Sequence, residues 1–239
     1  MAHPPTYLER TWVVHDTDDS SIQELSRALD IHPLIARVLL QRGVDTADEA
    51  ERFLHPHLRH MHDPFLMKGM SEAVQIVLRA LGEGQRIVIH GDYDVDGISS
   101  TSVMYEFLHD IGAQVSTFIP RRNKEGYGLS IDTVRRLQHE GAELLITCDC
   151  GISNVAEIQV AKQLGLDVII VDHHTVPDVV PPADAILNPH QPGCAFPFKQ
   201  LAAVGVAFNF VVGLRKTLRD QGVFHVVEEP DLRNYLDLV

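Results

Sequence analysis

The chain has 239 residues, 45% of them hydrophobic, and 33 acidic against 20 basic side chains give it a net charge of −13. That is enough apolar material for a sizeable core, arranged as one large domain and a small one. The acidic balance argues against a stand-alone nucleic-acid clamp, which grips phosphates through a basic footprint, and no apolar run approaches the roughly 20 residues of a membrane span.

The start, Met-Ala-His-Pro-Pro, lacks the basic and apolar regions of a signal peptide, so a cytoplasmic protein is expected. Residues 1–69 read as a small helical module and linker. Ser21-x-x-Glu24 has the form of a capping box, with Ile22, Leu25 and Leu29 as the apolar stripe behind it. Pro33 and Gly43 bracket a second helix over 34–42, and Thr46-x-x-Glu49 opens a third that ends near Leu54. The histidine-rich, proline-bounded segment His55–Pro64 aligns its histidines on no helical or strand register and reads as a solvated loop.

From Met70 the pattern alternates between helix and strand. Helices are expected over about 71–81, 99–111, 130–140 and 154–164, and strands over 86–90, 114–119, 143–147, 167–171 and 185–187; Gly205 lies in a further helical segment. Buried runs such as Val168-Ile169-Ile170-Val171 between helices indicate a parallel sheet covered on both faces. The expected fold is therefore α/β, a doubly wound, mainly parallel sheet over residues 70–239 behind the helical module. Cys148 and Cys150 flank Asp149 and read as packing residues, and with Cys194 they form no disulfide framework.

The first of these strands empties into His90-Gly-Asp92-Tyr-Asp94-Val-Asp96-Gly97. Three carboxylates at alternate positions repel one another and call for a cation. Alternatively, the aspartates merely cap the helix that follows, since Ser99, Ser100 and Thr101 come next. Later strands deliver Asp149, then Asp172, His173 and His174, then Asn188 and His190, to the carboxyl edge where open α/β sheets place their ligands. Four strands supplying Asp or His to one edge favour a metal site. A mixed oxygen and imidazole set suits Mn²⁺ or Mg²⁺, and carboxylates from different strands can bridge two ions. Asp149, alone on its strand end, is the natural bridge, and His174 is placed to face a substrate. Arg121, Arg122 and Lys124, the densest basic patch, precede Gly126-Tyr127-Gly128, whose backbone amides could hold a phosphate.

His90-Gly-Asp-Tyr-Asp-Val-Asp-Gly97, Thr147-Cys-Asp149-Cys-Gly-Ile152 and Val171-Asp-His-His174 resemble the successive motifs of the DHH phosphoesterase superfamily. Phe53-Leu-His-Pro56, Asp63-Pro-Phe-Leu66, Ile119–Leu129, Leu187–Cys194 and Leu201–Phe208 narrow the resemblance to the RecJ-like nucleases. The resemblance implies a two-metal phosphodiesterase that degrades single-stranded DNA from the 5′ end in DNA repair and recombination, using two Mn²⁺ or Mg²⁺ ions. His90, Asp94 and Asp149 would hold one ion and Asp96, Asp149 and His173 the other. Asp92, Asp172 and His174 would stand behind them or face the substrate, with Arg122 and the 126–128 loop near the DNA phosphates. A single-strand-binding protein and a helicase are partners expected at the level of the family. RecJ-like chains continue further, and the motif beginning at Tyr235 would bring one more metal-binding aspartate beyond Val239. Two other readings stay open: a DHH phosphoesterase for oligoribonucleotides, cyclic dinucleotides or pyrophosphate, and a non-catalytic replication scaffold.

Overall fold

The computed structural model describes residues 16–121 and 128–239 and divides into two units after Met61. In the first unit, helices α1 (Asp19–Leu29), α2 (Pro33–Gln41) and α3 (Ala47–Leu54) enclose Ile22, Leu25, Ala36, Leu39 and Ala50. Thr46 and Glu49, expected to open α3, do so as a capping box, each side chain accepting the other's backbone N–H. The cap of α1 corrects the sequence expectation. It is Asp18, whose carboxylate accepts from Ser21 N at 2.8 Å, so Ser21 lies inside the first turn rather than ahead of it. A carboxylate answers the positive end of the helix dipole better than a hydroxyl does, and it starts the helix earlier.

The second unit begins at His62. Residues 62–69 contribute buried Pro64 and Met67 to it, and Gly69, at φ +87°, presses against the Ile186 carbonyl where a Cβ would sit 2.4 Å away. Helix α4 (Met70–Glu83) leads to β1 (Ile87–Gly91), α5 (Val95–Asp110), β2 (Val115–Phe118), α6 (Ile131–His139) and β3 (Leu144–Cys148). Then follow α7 (Val155–Gln163), β4 (Asp167–Val171), β5 (Ala185–Leu187) and α8 (Ala203–Asp220). The strands form one all-parallel sheet in the order β2-β1-β3-β4-β5. One face of the sheet buries Val88, Leu145, Val168 and Ile170 against Leu137 of α6 and Ile158 of α7. The opposite face is covered by α4, α5 and α8. With both faces buried, the strands read as near-continuous apolar runs, which is why they were legible.

Helix α5 starts at Val95, not at Ser99, so the last of the acidic residues enters its first turn. The strand order reverses between β1 and β3. At such a switch point the connections leave in opposite directions and open a crevice beyond the carboxyl ends of the strands.

Candidate metal centre

The exits of β1 and β3 meet at that crevice. Gly91 and Gly97 permit the tight path out of β1. A Cβ on Gly97 would lie 2.5 Å from the Asp92 carbonyl oxygen, and one on Gly91 would lie 2.0 Å from Thr101 Oγ1. Asp94 then caps α5, its Oδ1 accepting from Gly97 N at 2.9 Å. The two readings of the acidic run, helix cap and ligand cluster, are thus compatible, because a carboxylate oxygen has a second lone pair beyond the one used by the cap.

One ligand atom each from Asp92, Asp94 and Asp149 lies within 4.8 Å of the other two, and the same holds for Asp149, His173 and His174. Asp149 is common to both groups. It follows β3 with φ +60°, a left-handed conformation that costs a non-glycine residue about 1–2 kcal/mol. Its N–H donates to the Val171 carbonyl at 2.9 Å, which locks the turn to β4. His173 Nε2 stands 3.2 Å from Asp149 Oδ1 and 3.5 Å from Asp96 Oδ2. The Asp96 carboxylate also accepts from the first amides of α8, Ala203 N and Val204 N, both at 2.7 Å.

Asp172 organises the histidines. Its Oδ1 accepts from His173 N at 2.7 Å and His174 N at 3.1 Å and lies 2.7 Å from His174 Nδ1, while its Oδ2 accepts from Ile152 N at 3.1 Å. Asn188 sits behind this loop, donating to the His174 carbonyl at 2.9 Å and accepting from His190 N at 2.8 Å. It positions His174, and the exposed His190 belongs to neither ligand group. Asp92 is buried, and its Oδ1 has no hydrogen-bond partner. Arg122, Gly126 and Tyr127 lie outside the described residues. His90, at the end of β1, is fully buried and its Nε2 has no hydrogen-bond partner.

The electrostatics show how much negative charge has been gathered. Burial, then the charges of Asp96 and Asp94, push the Asp149 carboxyl up to about 8. Burial raises Asp92 as well and pulls the His90 imidazole down to about 4. Buried polar atoms are normally satisfied, yet Asp149 Oδ1, Asp92 Oδ1 and His90 Nε2 have no hydrogen-bond partner. Orphaned oxygens on Asp149 and Asp92, with His173 and His174 in reach of Asp149, are the donor set of a Mn²⁺ or Mg²⁺ site; His90 and Asp96, also expected as ligands, belong to neither ligand group. The residues fit the ions.

Two structural parts of the site were not read from the sequence. One is the hold of α8 on Asp96, for which the only signal was the small-residue run Ala202–Gly205 before an apolar stretch. The other is Cys150, whose Sγ lies 3.6 Å from His90 Nδ1. A packing role was expected of it.

Residues 86–239 match the family described as "DHH family, N-terminal domain". The chain is 46% identical over 210 residues to the single-stranded-DNA-specific exonuclease RecJ of Bacillus subtilis (strain 168), covering 88% of this chain and 27% of that protein. A crystal structure of RecJ in complex with Mn²⁺ from Thermus thermophilus superposes with a TM-score of 0.71 at 31% identity, covering 92% of this chain and 29% of that one. A second, exonuclease RecJ bound to manganese, gives 0.62 at 35% identity over 72% of this chain and 41% of the other. The chain therefore spans between a quarter and a half of the length of these relatives. With more than half of its own length inside the matched region, and the three acidic and histidine motifs assembled at one crevice, the chain belongs to the DHH family.

Proposed function

We propose that this chain is the metal-binding catalytic part of a single-strand-specific DNA exonuclease that works from the 5′ end and releases 5′-mononucleotides. The observation that carries this reading is the pair of ligand groups sharing Asp149, in a DHH-family sheet whose RecJ relatives bind Mn²⁺. His90, Asp94 and Asp149 would hold one ion, and Asp96, Asp149 and His173 the other. Bound ions of this kind supply an activated water and stabilise the leaving oxygen in phosphodiester hydrolysis.

The chain's own residues supply the rest. Asp172 holds both histidines through their backbone amides, and its contact with His174 Nδ1 orients that half-exposed ring so that in its imidazolium form Nε2–H would donate to a phosphoryl oxygen. Asp96 and the first turn of α8 fix one wall of the crevice. Arg122, Gly126 and Tyr127 take the neighbouring phosphates in this reading. No helix among the described residues is long and apolar enough to cross a membrane. A cytoplasmic repair and recombination enzyme, working with a single-strand-binding protein and a helicase, is the setting we infer.

One observation favours a second reading. The net charge of −13 suits a phosphoesterase for small substrates, such as a dinucleotide, better than a DNA-gripping surface. Offering the protein 5′-labelled single-stranded DNA, the corresponding duplex and a dinucleotide, with Mn²⁺ or with a chelator, separates the two. Mn²⁺-dependent release of labelled mononucleotide from the single strand supports the exonuclease. Turnover of the dinucleotide alone overturns it.

A further inference from the structure

We propose that Cys150 fixes the tautomer of His90, leaving the Nε2 lone pair available to a metal ion; this rests on the metal-centre reading above. Cys150 and His90 come from different strands, Cys150 just past β3 and His90 within β1, and both are buried. Cys150 Sγ lies 3.6 Å from His90 Nδ1 and 3.9 Å from the His90 carbonyl oxygen.

A neutral imidazole has one N–H and one lone pair, and His90 is fully buried. Cys150 is buried as well. A thiol has one proton to give. Given to the His90 carbonyl, it leaves the sulfur lone pairs to accept from Nδ1–H, and the proton on Nδ1 in turn leaves Nε2 unprotonated. That nitrogen is the buried atom without a partner.

Metal-ligating histidines usually have the second nitrogen held by a carboxylate or a carbonyl. Here a neutral thiol takes that role, which adds no further negative charge to a crevice that already gathers Asp92, Asp94, Asp96 and Asp149. Cys148, the buried thiol on the other side of Asp149, is a natural control. Cys150 is a positioning residue, not a catalytic one.

The test is the nitrogen NMR spectrum of His90 in the metal-free protein at pH 7, together with Mn²⁺ affinity by calorimetry, for the wild type, Cys150→Ala, Cys150→Ser and Cys148→Ala. The wild type is expected in the Nδ1–H form. Cys150→Ala is expected to shift His90 toward the Nε2–H form and to weaken Mn²⁺ binding about tenfold. Cys150→Ser, which retains a donor and an acceptor, should restore most of both, and Cys148→Ala should leave the His90 nitrogens as they are. An unchanged tautomer in Cys150→Ala, or the same shift in Cys148→Ala, would overturn the proposal. A wild-type protein that binds no Mn²⁺ would overturn the metal-centre reading instead, and the nitrogen spectra would still decide the role of Cys150.

Discussion

His173 Nε2 stands 3.2 Å from Asp149 Oδ1, an imidazole from the β4 exit set against a carboxylate from the β3 exit. The same Asp149 groups with Asp92 and Asp94 from the β1 exit, so losing it removes a member of both groups at once. Asp149→Asn is expected to lower Mn²⁺ affinity further than Asp92→Asn, by at least about 100-fold. In the metal-free protein the same change removes the cost of burying this carboxyl and holding it protonated, and stabilises the fold, on the order of 1–3 kcal/mol. Calorimetric titration and thermal melting of the two variants check both halves. Equal losses of affinity in the two would remove Asp149 from its shared role.

The pH dependence of the metal-free protein follows from the same carboxyl. Its pKa rises from 3.8 to about 8 on folding, so between those values the folded chain holds a proton that the unfolded chain has released. By linkage, this group's contribution to stability is complete below about pH 4, declines as pH rises, and is lost as pH passes about 8. The metal-free protein should melt at a lower temperature at about pH 8.5 than at about pH 6, and Mn²⁺ should narrow that gap. At about pH 6–7, Mn²⁺ binding should release about one proton, which titration in buffers of different ionisation enthalpy measures. No proton release would contradict the assignment.

Gly97→Ala inverts the ordinary preference of a helix. Alanine in a helix interior is favoured over glycine by about 1 kcal/mol, but here its Cβ meets the Asp92 backbone at 2.5 Å. Overpacking of that kind costs about 1–3 kcal/mol, and the backbone movement it forces displaces both Asp92 and the capping Asp94. Lower thermal stability together with lost Mn²⁺ binding is the expected result. A variant with raised stability and intact binding would show that the turn yields to the extra methyl group.

In the first unit, Asp18→Ala is expected to destabilise α1 more than Ser21→Ala does, because the Asp18 carboxylate accepts the free amide of the first turn. Circular-dichroism melts of the two variants decide this. The reverse order would restore Ser21 as the cap.

Those two helix starts show where the sequence stops being legible. The apolar runs of β1, β3 and β4 are buried on both faces, so their composition alone marks them, and with them the edge that receives His90, Asp149 and His173. The start of α1 was misplaced because Asp18 and Ser21 are both good caps three residues apart, and only the backbone shows which N–H is answered. For α5 the error came from treating capping and metal ligation as alternatives, whereas Asp94 caps through Oδ1 and still belongs to a ligand group. The grip of α8 on Asp96 joins residues 107 positions apart, and the contact of Cys150 with His90 spans 60. Neither distance leaves a local pattern in the chain.

The most direct test of the metal centre is anomalous diffraction at the manganese edge from crystals grown with Mn²⁺. The expected result is manganese density in contact with the Asp149 carboxylate, on the side of Asp94 or of His173 or on both. Manganese bound elsewhere, with Asp149 left without an ion, would contradict it.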